Sequence, residues 1–406
     1  MKFVRFIREC LKEAFRGGRL YWCWLLFLAL VIAAGGFAYG RQYSEGLIVT
    51  GMSDQVSWGI YIANFTFLVG LAAAAVLLVV PAYIFHNPHA RSVVLLGEGL
   101  AVAACATCIM FVFVDLGRPE RLLHMLPFLG RLNWPQSMLA WDVVVLNGYL
   151  LLNFTIPMYV LYKRYSGEEP NRRVYFPGIL IAIFWAISIH TVTAFLYSGN
   201  PSRPFWHTAL LGPRFIASAF TAGPAFMILA FRVIAARTEF EVSDKVFNLL
   251  GLIMALALQI SLFMVGVEIF QEFYAPTEHT ISARYLFLGV EGHDPLVVYI
   301  RFALLAQLVA LAILMVHRWR RNPKLLTLAC LLAIVGIWIE KGIGLVIPGF
   351  VPTPLGEIFD YSVTWVETLI SFASWAFGGL VFTVMAKMAI AIETGKLRAT
   401  FGRNPA

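Results

Sequence analysis

The chain has no polar segment long enough to form a soluble domain, because the connections between its apolar runs contain only roughly 10 to 25 residues. Charged residues are also scarce, at 13% of the 406 residues, whereas 60% are hydrophobic and the mean hydropathy is +0.77. This composition is typical of multi-pass membrane proteins and excludes a water-soluble globular protein. We therefore expect any chemistry outside the membrane to come from partner subunits.

Several common cofactor motifs are missing as well. No nucleotide-binding motif of the Walker or dinucleotide type is present, so ATP-driven transport would need another subunit. His190 is the only histidine clearly inside a span, whereas a membrane b-type haem needs two facing histidines, so we expect no haem. The cysteines lie in or beside apolar runs, which predicts neither a disulfide framework nor a metal site. They are Cys10, Cys23, Cys105, Cys108 and Cys330.

Ten apolar runs are each long enough to cross about 30 Å of hydrocarbon, which requires about 20 helical residues. They lie near residues 20–39, 57–85, 93–115, 139–162, 175–197, 212–232, 246–274, 295–317, 325–347 and 363–392. The first run is longer than a typical signal-peptide core, so we expect an uncleaved helix. The sequence predicts an all-α integral membrane protein in which spans 2–5 and 6–9 form two four-helix bundles, flanked by spans 1 and 10.

The predicted organisation has four parts. They are residues 1–56 with the N-terminus and first span, 57–197 with the first bundle and its pocket, 198–350 with the second bundle, and 351–406 with the tenth span and C-terminus. A weak repeat relates "FTFLVGLAAAAV" in span 2 to "SAFTAGPAFMIL" in span 6. Parallel internal repeats would explain it, and so would the recurrence of small and aromatic residues at helix contacts.

Basic residues indicate the orientation through the positive-inside rule. With a cytoplasmic N-terminus, one side carries 22 of the 31 Lys and Arg residues and the other side eight, while Lys341 lies inside a span. We therefore expect both termini to face the cytoplasm. The basic residues are scattered over short loops rather than gathered in one domain, so no nucleic-acid binding is expected.

Polar residues cluster at the periplasmic end of spans 3 to 5. An ionisable side chain inside a span costs about 2.5 to 3.5 kcal/mol, so it normally faces a cavity, a partner or a ligand. At 1.5 Å per residue, Asp142 lies about 5 Å and His190 about 10 Å below the periplasmic ends of their spans. Asp115 and Arg118 close span 3, and His124 follows in "VDLGRPERLLHMLPFLGRLNWPQS". These groups predict a polar pocket under a periplasmic cap.

A histidine and an acid near the membrane interface suit proton exchange with a quinone, because each redox step at the quinone oxygens needs a proton donor or acceptor. The candidates are His124 and Asp142 for proton exchange, His190 for holding the quinone, and Asp115, Arg118 and Trp134 beside it. Each of these candidate residues could instead have a purely structural role. Asp115 and Arg118 could form a helix-end ion pair, and His190 could be a helix contact.

A second polar set occupies the other half of the chain. Glu268, Glu340, Lys341 and Glu367 also lie toward the periplasmic side. Glu340 and Lys341 are adjacent and diverge by about 100° on a helix, so each needs its own partner. The set is either a charge network that fixes helix packing or part of a proton pathway. Glu98, about 8 Å from the cytoplasmic end of span 3, is a candidate proton entry.

Four stretches resemble a known family of membrane subunits. They are "IVTGMSDQVSWGIYIANFTFLVGLAAAA", "VDLGRPERLLHML...NWPQSMLAWD", "ISIHTVTAFLYSGNPSRPFWHTALLGPRFIASAFTAGPA" and "WIEKGIGLVIPGFVP". Their order and membrane face are similar to those of the NrfD or polysulfide-reductase-C family. The chain most resembles the ten-span branch, which holds the membrane subunits of alternative complex III and of the Qrc, Dsr and Hmc complexes. The resemblance covers nearly the whole chain after the first span.

The resemblance implies a subunit of the bacterial inner membrane that has neither haem nor iron–sulfur cluster of its own. It implies electron exchange with menaquinone near the periplasmic surface and docking to a periplasmic iron–sulfur protein. In such complexes the iron–sulfur protein is joined to a molybdopterin-family subunit and often to multihaem cytochromes c. A Qrc-like cytochrome c:menaquinone reductase is the leading prediction, with "DLGRPER", "GNPSRPFWH" and "EGHDP" as the docking surface. The family's quinone-binding histidine and acid would fall on His124, Asp142 and His190.

Two other classes of function stay open. A proton or small-solute carrier would explain the buried acids, and it would transport without a redox partner. A passive membrane anchor would explain the number of spans, and it would tolerate substitutions in the pocket. The direction of electron flow is open as well.

Overall fold

The structure is a computed structural model that describes residues 2–126, 128–274, 277 and 280–399. Within these ranges ten helices are long and apolar enough to cross a membrane, which confirms the predicted multi-pass helical fold. Spans 1 to 10 are Arg19–Glu45, Ile60–Ile84, Pro88–Asp115, Met138–Tyr165, Arg172–Ser198, Leu211–Arg237, Asp244–Tyr274, Val297–Met315, Pro323–Phe350 and Trp365–Glu393. The described connections are short helices and loops, with one isolated β-bridge between Val290 and His293.

Shorter helices lie on the two faces of the bundle. The face that holds helix α1, Lys2–Ala14, is called the N-side face here, and it also holds the short helix His317–Arg320. The opposite face is called the far face. It holds the helix Thr280–Phe287 and the 3₁₀ turns Leu47–Val49, Pro119–Met125 and Pro204–Trp206.

The spans form two four-helix bundles, as predicted. In the first bundle, spans 2 and 4 each pack against spans 3 and 5, and in the second, spans 6 and 8 each pack against spans 7 and 9. The bundles meet where span 2 contacts spans 6 and 9 and where span 5 contacts span 6. Spans 1 and 10 pack together, and span 10 lies along span 3. The division of the chain into four parts by residue number stays a prediction.

Polar residues determine where several spans begin. Side chains just before spans 3, 4, 5, 9 and 10 accept hydrogen bonds from backbone N–H groups of the first helical turn; they belong to Asn87, Ser137, Asn171, Asn322 and Thr364. The first turn of a helix has N–H groups without an intrahelical acceptor, so these bonds stabilise the helix start.

Spans 2 and 9 each contain a π-helical turn, at Val80–Ile84 and Trp338–Ile343. A π turn widens the helix locally and changes the direction in which its side chains point, and such turns are frequent at functional sites. The turn in span 9 carries Glu340 and Lys341, and both side chains are buried. Two adjacent charged residues are thereby placed in the interior of the protein.

Spans 2 and 6 approach each other closely through small residues. A Cβ added to Gly223 would collide with the Cβ of Ala74, and one added to Gly70 would lie 3.3 Å from the Cβ of Ala219. Small residues four positions apart on each helix therefore face each other, an arrangement common between membrane helices. The similarity between the sequences of spans 2 and 6 thus has a packing reason.

We expect Gly223→Ala to lower the free energy of unfolding by about 1 to 3 kcal/mol, the usual cost of overpacking, because the added methyl group would collide with Ala74. Gly212→Ala is the matched control in the same span, since nothing lies within 4 Å of its added Cβ. Thermal unfolding of both variants in one detergent measures the difference. Equal midpoints would show that spans 2 and 6 do not pack this closely.

Candidate functional site

Spans 4 and 5 each carry a buried ionisable side chain toward the far face, Asp142 and His190 respectively. The Oδ1 atom of Asp142 accepts a hydrogen bond from Thr193 Oγ1 at 2.8 Å, and both residues are buried. His190 precedes Thr193 by three residues, so the two share one side of span 5. Only 1% of His190 is exposed. Thr193 thereby ties Asp142 of span 4 to span 5, one helical turn from His190, and this region is called the Asp142–His190 site here.

The ring of His190 has one bonded nitrogen and one nitrogen without a partner. Its Nδ1 lies 3.0 Å from the backbone oxygen of Ala186. Because a carbonyl oxygen only accepts, Nδ1 carries the proton of the neutral ring and Nε2 is left as an acceptor. Nε2 is buried and has no hydrogen-bond partner among the described residues. Since an unpaired buried polar atom is costly, Nε2 suits a ligand that donates a hydrogen bond.

A cation from the second bundle reaches the same region. The Nζ atom of Lys341 lies 4.2 Å from the centre of the Phe215 ring, and in the described part of the chain it has no hydrogen-bond partner. Lys341 is within electrostatic range of His190 and Cys108, and Asp142 is also within range of Cys108. A fixed cation in a low-dielectric interior stabilises negative charge that develops on a ligand.

Aromatic side chains border the site. The ring of Tyr197 packs against Trp58 and Trp206 at centroid distances of 5.6 and 5.2 Å. Asp142 and Asp115 both lie within electrostatic range of the Tyr197 hydroxyl. The Tyr197 hydroxyl itself is hydrogen-bonded to Thr66, so Tyr197 joins spans 2 and 5. Its aromatic neighbours give the region an apolar wall of the kind that ligand pockets use against flat rings.

Asp115 and Arg118 have different environments. Asp115 ends span 3, and its Oδ1 is buried without a hydrogen-bond partner within the described ranges. Arg118 instead pairs with Glu120 at 3.5 Å, and both side chains are largely exposed. Asp115 thus has a buried carboxylate oxygen at the end of span 3, whereas Arg118 stays at the far-face surface.

His124 and Trp134 lie on the surface of the cap segment. His124 is exposed in the 3₁₀ turn Pro119–Met125. Trp134 is 44% exposed, and its ring lies on that of Trp141 with the centroids 3.9 Å apart. Trp141 is fixed in turn by a 2.8 Å hydrogen bond from its Nε1 to the backbone oxygen of Pro135. The roles of His124 and Trp134 in quinone chemistry stay predictions.

Arg214 organises the second polar set. It lies in the first turn of span 6 and donates hydrogen bonds to Glu268 of span 7 and Glu340 of span 9. The three side chains are 11%, 20% and 1% exposed, so these charges are largely removed from water. Glu340 and its neighbour Lys341 therefore have separate environments, since Glu340 pairs with Arg214 whereas Lys341 lies over Phe215.

Glu367 caps span 10 and joins it to the loop before span 2. Its carboxylate accepts hydrogen bonds from the Tyr361 hydroxyl at 2.6 Å and from the backbone N–H groups of Gly51 at 2.8 Å and Thr364 at 3.0 Å. The Thr364 side chain accepts a reciprocal bond from the backbone of Glu367, which completes a capping box. These bonds give Glu367 a structural task, and its role in a proton pathway stays a prediction.

Glu98 lies buried in span 3, on the N-side of the polar site. Its Oε2 has no hydrogen-bond partner in the described chain. It lines a cavity of about 10 Å³ together with Tyr149 and Asn153, which is about the space that one water molecule requires. On the N-side, Tyr83 and Arg164 lie within electrostatic range of Glu98.

Two open cavities lie at the N-side ends of spans 3, 4 and 10. Their volumes are about 550 and 230 Å³, and Arg91 and Arg164 line both. The smaller cavity is also lined by Tyr83. Tyr83 therefore borders the N-side solvent and is also within electrostatic range of the buried Glu98.

The three predicted docking segments, residues 115–121, 199–207 and 291–295, follow or precede spans on the far face. Trp206 in the second segment is buried, and its Nε1 donates a 2.8 Å hydrogen bond to the backbone oxygen of Leu345. This bond fixes the segment to span 9. The segment therefore offers a partner a firmly held surface, and the docking role itself stays a prediction.

Asp360 holds the third docking segment in place. It accepts a 3.0 Å hydrogen bond from the Tyr285 hydroxyl and lies 2.7 Å from His293 Nδ1. Burial raises the pKa of the Tyr285 phenol above its ordinary value, and the hydrogen bond to Asp360 raises this pKa further. Tyr285 therefore stays a neutral donor, and the loops before spans 8 and 10 are tied together.

Three residues of the site were not identified from the sequence. Thr193 and Tyr197 follow His190 by three and seven positions, which is the spacing of one helical face and is a signal that could have revealed them. Arg214 gave no such signal, because a basic residue near the end of a span also fits an ordinary solvent-facing position. Its inward direction becomes visible only in the packed bundle.

Ten apolar helices in the described chain, eight of them in two four-helix bundles with acidic, histidine and lysine side chains buried inside, define a multi-pass membrane protein. Among the described residues, no group of three or more His, Cys, Asp and Glu side chains could hold a metal ion. The chain belongs to the polysulphide reductase NrfD family, whose model matches residues 48–353. The resemblance found in the sequence is thereby confirmed.

Three relatives come from different complexes. An Hdr-like menaquinol oxidoreductase integral membrane subunit of Archaeoglobus fulgidus is 27% identical over 268 residues, which are 66% of this chain and 64% of that protein, less than two thirds of its length. A putative dimethyl sulfoxide reductase membrane subunit of Halobacterium salinarum is 26% identical over 81% of this chain and 77% of its own. A selenate reductase subunit of Mesobacillus selenatarsenatis is 23% identical over 82% of each chain.

Proposed function

We propose that the chain is the quinone-interacting membrane subunit of a respiratory oxidoreductase complex, and that the quinone binds at the Asp142–His190 site. One observation carries this proposal: His190 is buried and its Nε2 lacks a partner among the described residues, one helical turn from Thr193, which bonds the buried Asp142. A quinol hydroxyl supplies the donor that Nε2 lacks, and a quinone oxygen needs the protons that these groups exchange. The name of the Archaeoglobus relative supports menaquinone as the substrate.

The chemistry requires two electrons and two protons for each quinone converted to quinol. In that direction, electrons arrive from the partner, and each ring oxygen accepts one proton. Asp142 and His190 exchange these protons with the two oxygens, while Lys341 stabilises negative charge on an oxygen before it is protonated. Oxidation of quinol runs the same steps in reverse. The predicted role of His124 in proton exchange with the far-face solvent can be taken over by water, because His124 is exposed on the cap.

The partner is proposed to be an iron–sulfur subunit docked on the far face, and this face is proposed to be periplasmic. The excess of Lys and Arg on the N-side face supports cytoplasmic termini in a bacterial inner membrane. Two relatives are named as subunits of reductases, which supports assembly in a multi-subunit complex. A molybdopterin-family subunit and a multihaem cytochrome c complete the proposed complex, in the arrangement of a cytochrome c:menaquinone reductase.

Quinone-dependent turnover of the purified complex tests this proposal. We expect the complex to exchange electrons with a menaquinone analogue, whereas the chain purified alone should neither do so nor transport protons or small solutes in liposomes. Transport by the isolated chain would instead favour a carrier. If quinone turnover persists in a complex depleted of this chain, the chain serves only as a membrane anchor.

We also propose that the protons reach the site from the N-side face through Glu98. The proposed route passes Tyr149, Cys105 and Cys108, because Tyr149 is within electrostatic range of both Glu98 and Cys105, and Cys108 is within range of both Cys105 and Asp142. The small cavity beside Glu98 has space for about one bridging water. With electrons entering from the far face and protons from the N-side face, turnover would contribute to the membrane potential.

Glu98→Gln is expected to keep the complex assembled and to slow coupled turnover in liposomes by about 10²-fold, because glutamine cannot release a proton. Glu168→Gln is the matched control, since Glu168 lines the N-side cavity but is largely exposed, so that water can replace it. Proton uptake from the N-side compartment is measured with a pH-sensitive dye. Unchanged uptake in Glu98→Gln would mean that the protons come from the far face.

A further inference from the structure

Helix α1 has a continuous apolar half. Its sequence, Lys2–Ala14, places Phe6, Cys10 and Ala14 at spacings of four residues, and these three side chains are buried against the bundle. A second apolar stripe runs beside them and consists of Phe3, Val4, Ile7, Leu11 and Phe15. On a helix with 100° between residues, the two stripes are adjacent and together occupy about half of the circumference.

The helix is held across the ends of several spans. At its end, the Tyr21 hydroxyl of span 1 donates a 2.5 Å hydrogen bond to the backbone oxygen of Ala14. Near its start, the Phe6 ring packs against Tyr162 and Tyr165 of span 4 at centroid distances of 5.4 and 5.2 Å. α1 also packs on span 10. The helix therefore lies over the N-side ends of the spans instead of extending away from the bundle.

The second stripe is not covered by this chain. Phe3, Val4, Leu11 and Phe15 are 50%, 70%, 50% and 64% exposed, and with Ile7 they border an open cavity of about 780 Å³. The apolar surface continues directly into span 1, where Leu20, Trp22 and Trp24 are also exposed. Span 1 is almost uncovered by the rest of the described protein, as expected of a membrane helix that faces lipid. The stripe is thus continuous with the exposed apolar surface of span 1.

The charges of α1 lie on its other side. The helix carries four basic residues and two acidic ones, and Glu9 is paired with Lys12 at 3.1 Å. Arg8 and Lys12 border the apolar cavity. An amphipathic helix with basic residues beside its apolar stripe binds in the interface of an anionic bilayer, with the apolar side chains buried about 5 to 10 Å deep.

From the uncovered stripe, its continuity with span 1 and the basic polar side, we propose that α1 is an interfacial helix that inserts Phe3, Val4, Ile7, Leu11 and Phe15 into the N-side leaflet, with anionic phospholipid headgroups against its basic residues. The bilayer is the occupant that the geometry favours, because the helix ends only five residues before the first residue of span 1. The inserted helix would hold the N-side ends of spans 4 and 10 at a fixed depth.

Collision accessibility of spin labels tests the proposal in the complete complex. Cys23→Ser provides the background, since the other four cysteines are buried. Nitroxides are attached to Leu11→Cys and, as the neighbouring control on the polar side, to Lys12→Cys. The complex is reconstituted in vesicles of phosphatidylcholine and phosphatidylglycerol. Relaxation by oxygen, which concentrates in hydrocarbon, is then compared with relaxation by a water-soluble nickel chelate.

We expect oxygen to relax the label at position 11 several-fold more than nickel does, and the order to be reversed at position 12. A label at position 11 that neither agent reaches would show that a partner subunit or a second copy covers the stripe. A label there that nickel reaches as well as at position 12 would show that α1 lies in water. Either of these two results overturns the proposal.

Discussion

Asp142→Asn is expected to lower the quinone turnover of the assembled complex by about 10² to 10⁴-fold, the contribution of a positioned proton-transfer group. Asparagine has nearly the same shape as aspartate and can still accept the hydrogen bond from Thr193, but it neither binds nor releases a proton. Asp142 is only 5% exposed, so bulk water cannot readily replace its carboxylate. Quinone turnover and electron entry into the proposed iron–sulfur partner are measured separately, and electron entry should be unchanged.

His124→Ala is the informative comparison for this result. His124 is exposed on the cap, so water can exchange protons in its place, and we expect turnover close to that of the unmodified complex. The opposite pattern, in which His124→Ala loses quinone turnover and Asp142→Asn does not, would show that proton exchange takes place at the cap and not at the buried site. Full turnover in both variants would show that the quinone does not react at the Asp142–His190 site. It would then bind at the second polar set, or the chain would be only a membrane anchor.

The positions of the spans could be predicted from the sequence to within a few residues, because the thickness of the hydrocarbon fixes the length of each apolar run. Span 3 was expected at 93–115 and covers Pro88–Asp115, and span 5 was expected at 175–197 and covers Arg172–Ser198. The observed helices begin earlier because Asn87 and Asn171 cap them. Helix starts of this kind are determined by hydrogen bonds rather than by hydrophobicity.

The depth of the polar residues could be predicted, whereas their direction could not. A rise of 1.5 Å per residue places Asp142 and His190 at similar depths in neighbouring spans, and in the structure Asp142 is bonded by Thr193, one helical turn from His190. The side chain of a residue at the end of a span can point toward the core or toward water. The apolar periodicity of the span does not determine which of the two directions it takes. Arg118 therefore pairs at the surface, whereas Arg214 turns inward between two acids.

Arg214→Met is expected to lower the stability of the protein by about 3 to 5 kcal/mol, the cost of removing one member of a buried ion pair. The substitution leaves Glu268 and Glu340 close together without the cation that both of them bind. Since 1% of the Glu340 side chain is exposed, water cannot solvate its charge. The measurement is the amount of assembled complex in membranes, together with the thermal midpoint of the purified material.

Adding Glu340→Gln to Arg214→Met separates the two roles that the sequence left open for this network. The double variant no longer holds an uncompensated charge at position 340, so we expect it to recover most of the lost stability, a coupling that marks two interacting residues. Because Arg214 bonds both acids, we assign the network to helix packing, and the recovered complex should take up the same number of protons per electron. A complex that assembles but has lost proton uptake would place Glu340 in the proton pathway instead.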